Sequence, residues 1–552
     1  MPTRSKDEPV NPNWDSETNL LLWIATCVSV LSFLFFYRDG DVMLYGDAVA
    51  HINIARRVFD SKTPGLLQLG TVWLPLPHLL IIPFILSKQM WQSGAGGSIP
   101  SMIGYVFGIV GVFRLVRHTL SRTQPVEAPA RIAAWSAAII YGANPNLIYM
   151  QATAMGETLY LAFFIWSVVY FVEWRRGDTK ALIKCGLCLA AACLTRYDGW
   201  FLAAAMAGVV LVSSVISGQF NGAWPALPSK GGAVKFILIA AAAPVLWLTY
   251  NGIIYRNPLE FENGPYSAKA IERRTQSSSN PGHPGSGNIV VATLFFVKAA
   301  EDNLTQNEWL ARTWLLLGLA AAIGGVAARK RGALSASPLL FLLIPIPFYA
   351  LSIAYGGVPI FIPQWWPFTH YNARYGLQLL PAFSIGLALL IFLIIQIEEW
   401  SSRVRLACVL SIAAVVATSY ALVWRGTPIC LEEARVNMRT RTQFQRQLAT
   451  LLAELPSSAT ILMYTGDHVG ALERAGIPLN HTINEGNHRT WKQPTDPDGL
   501  WERALVDPSK YADYVLAFDG DPVWQAVQDK HLRELIELHI TGQPRAVLYR
   551  AR

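Results

Sequence analysis

Residues 39–80 read DGDVMLYGDAVAHINIARRVFDSKTPGLLQLGTVWLPLPHLL, and this stretch decides what kind of chain it belongs to. Apolar runs flank it at 20–37 and 101–117. Each is long enough to cross a bilayer, for which roughly 17–25 residues are needed. From Asp47 the text fits an amphipathic helix. Ala48, Ile52, Ala55, Val58 and Phe59 share a face, and Asp47, His51, Arg56 and Arg57 occupy the rest. Such a helix is expected to lie in the membrane interface. Asp47 and His51, four apart, are neighbours on its surface. The stretch 72–86 is apolar too, but Pro75, Pro77 and Pro83 break it, so it is expected to be re-entrant or interfacial.

Outward from this loop, candidate spans lie at 20–37, 101–117, 131–149, 157–173, 181–195, 199–216, 234–254, 310–328, 336–354, 376–396 and 406–424, which is eleven. The chain of 552 residues is 52% hydrophobic and 15% charged, against about 25% charged in a soluble domain. Residues 425–552 have ordinary soluble composition, with a polar helix near 432–454 and strand-like runs at 459–463, 512–517 and 545–549. The expected architecture is a polytopic α-helical membrane protein with a small C-terminal α/β domain. The sequence shows no internal repeat and no Gly-rich phosphate loop, which argues against a nucleotide-driven pump.

Net charge is +8, yet the basic residues cluster at the ends of apolar runs, so they point to membrane orientation and not to nucleic acid. Arg4/Lys6, Arg114/Arg117/Arg122/Arg131, Arg175/Arg176/Lys180/Lys184, Lys230/Lys235, Arg329/Lys330/Arg331 and Arg403/Arg405 fall on one side if 72–86 does not cross. That side is expected to be cytoplasmic, together with the polar tail 1–19. Segments 38–100, 255–309, 355–375 and 425–552 then face outward, and the Gly/Ser/Pro-rich 274–288 is expected to be mobile. The tail lacks a cleavable signal, so the first span is expected to be an uncleaved anchor. Six cysteines form no disulfide framework, and Cys185, Cys188 and Cys193 suit helix packing. This favours a bacterial inner membrane over a secretory route.

Four groups carry possible chemistry. Asp47 can serve as a general base at the lip of the membrane domain, or simply cap its helix. Glu157, where the third span yields to the fourth, can be functional or an acid favoured by the helix dipole. Arg196 and Asp198 in LTRYDGW offer a phosphate ligand or a local pair across a turn. In QWWPFTHYNARYGLQLLPA, His370, Asn372, Arg374 and Tyr375 crowd the outer start of the tenth span. There Arg374 is a phosphate candidate or a snorkelling side chain. The topology puts all four groups on one face, a pocket of acids and arginines.

The motifs YGDAVAHINIARRVF, LPLPHLL, NPNLIYMQATAMGETLY, LTRYDGW and FTHYNARYGLQLLPA resemble those of the polytopic glycosyltransferases of the GT-C fold. Among these the chain is most similar to bacterial relatives of protein O-mannosyltransferases and of the lipid A aminoarabinose transferase. The resemblance implies transfer of a monosaccharide from a polyprenyl-phosphate donor to a glycan, lipid or protein acceptor. Asp47 matches the catalytic acid, Glu157 a second acidic position, and His78 the region near the donor phosphate. The family often has Asp-Glu where this chain has Asp47-Ala48, so the acid pair is incomplete. In the implied reaction Asp47 takes a proton from an acceptor hydroxyl that attacks the anomeric carbon with inversion. Arg196 or Arg374 stabilises the departing phosphate, and His51, Arg57, Asp198, His370 and Tyr375 line the substrate pocket. No cofactor is obligatory; Asp47 and Glu157 can chelate a divalent metal, though no third ligand is evident. A transporter or lipid flippase is the alternative from another class. A membrane anchor displaying the C-terminal domain is a third, for which eleven spans are excessive.

Overall fold

The computed structural model describes residues 15–120, 127–216, 230–275, 282–330, 337–487 and 498–552. Arg4, Lys6, Arg122 and Arg331, most of the tail 1–19 and the centre of 274–288 lie outside these residues.

Eight helices among them are long and apolar enough to span a membrane. They are Ser16–Asp39, Ala95–Leu120, Glu157–Arg175, Gly231–Ile254, Glu308–Ala328, Pro338–Tyr355, Ala373–Ile395 and Ser402–Ala453, the last interrupted at 426–428. The eleven expected exceed this by three. The stretch 131–149 is two helices, Ala128–Gly142 and Pro145–Gln151, because Asn144 caps the second through Leu147 N–H and Pro145 starts it. The stretches 181–195 and 199–216 fall on the shorter apolar helices Ala181–Cys193 and Asp198–Ser214. Outward-facing Trp23, Leu31, Leu246, Leu316 and Ile323 are exposed, as a lipid-facing surface requires. The 72–86 region is a short helix, Pro75–Ile81, followed by a single 3-10 turn.

Close packing in the bundle rests on small residues. A Cβ at Gly104 would lie 2.7 Å from the Leu159 backbone, so Ala95–Leu120 and Glu157–Arg175 approach only because that side chain is absent. A Cβ at Gly376 would strike the Ala299 carbonyl, which fixes the segment carrying Arg374 against the Ile289–Asp302 helix.

The loop helix is Gly46–Arg57, and it does not lie in an interface with one face free. Ala48, Val49, His51, Ile52, Asn53, Ile54 and Ala55 are all buried. Of the apolar face read from the sequence, Ala48, Ile52 and Ala55 are buried on the helix, whereas Val58 and Phe59 lie beyond its last turn and Phe59 is exposed. Much of the polar remainder is covered as well, Asn53 by Glu473 of the C-terminal segment and His51 by His78 and Trp73, while Asp47 stays 40% exposed.

That C-terminal segment begins with the Ile429–Ala453 helix. It continues into five strands: β1 Ile461–Met463, β2 Thr482–Ile483, β3 Tyr514–Phe518, β4 Arg533–Leu538 and β5 Ala546–Arg550. The sheet order is β2-β1-β3-β5-β4, parallel from β2 to β3 and antiparallel beyond. Leu462, Val515 and Ala517 pack with Trp501 and Val523 on one face. Polar contacts tie the unit to the loop. Asn53 donates to Glu473 at 2.7 Å, Gln68 to the Gly486 carbonyl at 2.8 Å, and Asn480 N–H to Asp60 at 3.1 Å. Burial pushes Glu473 up to about 8, which favours its uncharged form against the amide of Asn53.

Candidate active site

Asp47 sits in the first turn of Gly46–Arg57 but does not cap it; the cap position is Tyr45, with no side-chain cap hydrogen bond. The carboxylate instead accepts from Arg374 Nη2 at 2.7 Å. Arg374 lies just after Asn372, whose left-handed φ of 57° turns the chain into the 3-10 segment Ala373–Leu379. Asn tolerates that conformation better than most residues.

Arg374 is buried, and every nitrogen position of its guanidinium meets a carboxylate. Nε donates to Glu157 at 3.1 Å, Nη1 to Glu433 at 2.9 Å and Nη2 to Asp47. Such fork geometry is what guanidinium offers and ammonium does not. Glu157 also accepts from Arg196 Nη1 at 3.0 Å. Arg196 in turn reaches the Tyr349 hydroxyl at 2.8 Å and lies 3.5 Å from Asp198, to which Tyr349 donates at 3.2 Å. Tyr375 lies between the two guanidiniums, its ring 5.0 Å from Arg374 Cζ and 4.8 Å from Arg196 Cζ. One chain of alternating charge thus runs from Asp47 to Asp198.

Access along this chain is uneven. Glu157 and Glu433 side chains are 1% and 0% exposed, whereas Asp47 is 40% exposed. Asp47 is the acid of the cluster that an incoming hydroxyl can reach. Four carboxylates share two guanidiniums, a formal charge of −2 before any ligand arrives.

Beside it, His51 Nδ1 and His78 Nε2 are 2.7 Å apart, and Trp73 packs on His51. Burial holds His51 below the usual histidine range against the pull of Asp47 and Glu157; burial and the neighbouring His51 and Arg57 hold His78 well below it. A pair of neutral rings shares that hydrogen bond, one donating and one accepting. His78 Nδ1 and Arg57 Nε are buried without a hydrogen-bond partner. Arg57 faces Glu485 and Tyr255 instead of the Asp47 cluster. His370 stands apart, 3.8 Å from Glu432. No group of three or more His, Cys, Asp or Glu side chains is disposed around a metal position among the described residues.

The structure therefore joins Asp47, Glu157, Arg196, Asp198, Arg374 and Tyr375, with His51 and His78 alongside. Glu433 and Tyr349 have no counterpart in the sequence-based pocket. Glu433 carried a usable signal, because Cys430, Ala434 and Met438 form the buried stripe of its helix and Glu433 interrupts it. Tyr349 is one aromatic among many in an apolar run, and only packing singles it out.

No family model matches the chain, and no curated protein matches it in sequence. Solved structures do resemble it. ArnT from Cupriavidus metallidurans bound to undecaprenyl phosphate aligns over 97% of this chain and 98% of its own, with 15% identity and a TM-score of 0.56. The same protein in its apo state aligns over 97% and 99%, with 13% identity and a TM-score of 0.55. At such identity the likeness concerns architecture, and it extends over nearly the full length of both chains: the protein has the GT-C fold.

Proposed function

We propose that this protein transfers a single sugar from a polyprenyl-phosphate carrier to an acceptor hydroxyl at the outer face of the bacterial inner membrane, with inversion at the anomeric carbon. The observation that carries the reading is Asp47. It is a half-open carboxylate, oriented by a buried arginine, at one end of a helical bundle whose fold is shared with a protein solved with undecaprenyl phosphate.

Asp47 accepts the proton of the acceptor hydroxyl as that oxygen attacks the anomeric carbon. The carbon–oxygen bond to the lipid phosphate breaks, and the phosphate leaves as a stable anion, so an acid catalyst is not required. A general base of this kind contributes roughly 10²–10⁴-fold. His78 Nδ1 and the neighbouring Arg57 Nε have free hydrogen-bonding capacity and suit the donor phosphate. Arg374 would bind it only by giving up a carboxylate, whereas Arg196 keeps a buried Nε without a hydrogen-bond partner; the two arginines fix Asp47, Glu157 and Asp198, and their field steadies the developing charge, an effect worth about 3 kcal/mol. The scheme draws on no metal.

The basic residues support a cytoplasmic N-terminus. Arg114, Arg117 and Arg131 gather at the end of the bundle opposite Asp47, around Asp15, Glu17 and Glu173. A carrier would more naturally place its charges near the midplane.

The test is sugar transfer from radiolabelled undecaprenyl-phosphate monosaccharides by the purified protein. Asp47→Asn is expected to lose about 10²–10⁴-fold in turnover with an unchanged melting temperature. Equal turnover by both proteins would remove the base from Asp47. Absence of turnover with any donor by intact wild type would count against the transferase reading.

A further inference from the structure

One turn of the C-terminal unit grips both sides of the Asp47–Arg374 pair. Glu433 Oε2 accepts from Ala373 N–H at 2.7 Å, and its Oε1 accepts from Arg374 Nη1 at 2.9 Å. A single carboxylate thus fixes the backbone and the side chain of adjacent residues. On the other side, Tyr45, two residues before Asp47, donates its hydroxyl to the Cys430 carbonyl at 2.8 Å. Arg435 pairs with Asp41 at 2.6 Å. Residues 430–435 therefore hold the segment that carries the acid and the arginine that orients it. Glu433 itself is fully buried and touches no open surface, so its work passes through Arg374.

We infer that Glu433 is a positioning residue for sugar transfer, and that the C-terminal unit completes the active site through it. The inference rests on the proposed reaction. A buried carboxylate offers two acceptors in fixed geometry, and both donors here require one. A glutamine side chain in its place would accept from one donor and turn its NH2 group against the other, leaving a buried donor facing a donor. Aspartate keeps both acceptors but falls one methylene short.

The experiment compares wild type, Glu433→Gln and Glu433→Asp in the full chain. Glu433→Gln is expected to lower kcat by roughly 10- to 100-fold with the KM for the undecaprenyl-phosphate donor within about twofold. Glu433→Asp is expected to recover part of that loss. A kcat that merely follows the fraction folded, with Asp no better than Gln, would overturn the inference while leaving the transferase reading intact. If wild type transfers no sugar, the same three proteins are read by hydrogen exchange. Faster exchange at 41–49 and 372–376 in Glu433→Gln, with β1 and β3 as protected as in wild type, supports the clamp. Equal protection at those segments overturns it.

Discussion

The Glu157–Arg175 helix carries a buried acid at each end, and the two ends are built differently. At one end Glu157 is shared by Arg196 and Arg374, which also serve Asp47, Asp198 and Glu433. At the other, Glu173 meets Arg114 at 2.7 Å and His118 at 3.0 Å, while Arg117 pairs with Asp15 and Arg131 with Glu17. Among the described residues, the ion pairs of the second cluster set three carboxylates against three guanidiniums. The first sets four against two and leaves Asp47 half open. Balanced pairs at helix ends orient a membrane protein and tie helices together. An over-subscribed arginine beside an accessible acid holds that acid in one place while leaving it open to a hydroxyl, which is what proton abstraction asks of it.

Arg374→Ala should break the comparison most severely. It leaves Asp47 and the fully buried Glu433 without a cation and Glu157 with Arg196 alone, and removing one partner of such a network costs about 3–5 kcal/mol. Turnover should vanish, with a large fall in melting temperature or loss of a monodisperse protein in size-exclusion chromatography. A folded, active Arg374→Ala would show that the acids do not depend on it. Glu173→Gln probes the opposite end. It should lower stability by about 1–3 kcal/mol, since Arg114 loses its charged partner, while kcat of the folded fraction stays at the wild-type value. Any specific loss of kcat there would erase the distinction between the ends. The smallest effect belongs to Arg131→Ala, whose pair with Glu17 is largely in solvent. Neither melting temperature nor turnover should change measurably, because exposed pairs contribute little.

The loop helix shows how far the sequence could be followed. Its start near Asp47 and the buried positions 48, 52 and 55 were legible, because a 3.6-residue period is a local property. Its burial on the remaining face was not, since the covering residues, such as Glu473 against Asn53, lie more than 400 positions away. Arg196 and Asp198 could be paired from sequence because a tight turn brings them together. Their larger partners, Glu157 and Tyr349, required the bundle.

Hydropathy and the placement of Lys and Arg determined by themselves that this is a multi-pass membrane protein with a structured first loop, since the bilayer imposes length and polarity on each segment independently. The residue types able to do chemistry were likewise visible, because charge near the hydrocarbon is costly wherever it occurs. Only the tertiary structure decided which acid meets which arginine. Arg374 joins positions 47, 157 and 433, brought together by packing of Gly376 on Ala299 and by the turn at 430–435. Ion pairs that distant have no periodic signature; they exist because the helices that carry them can approach.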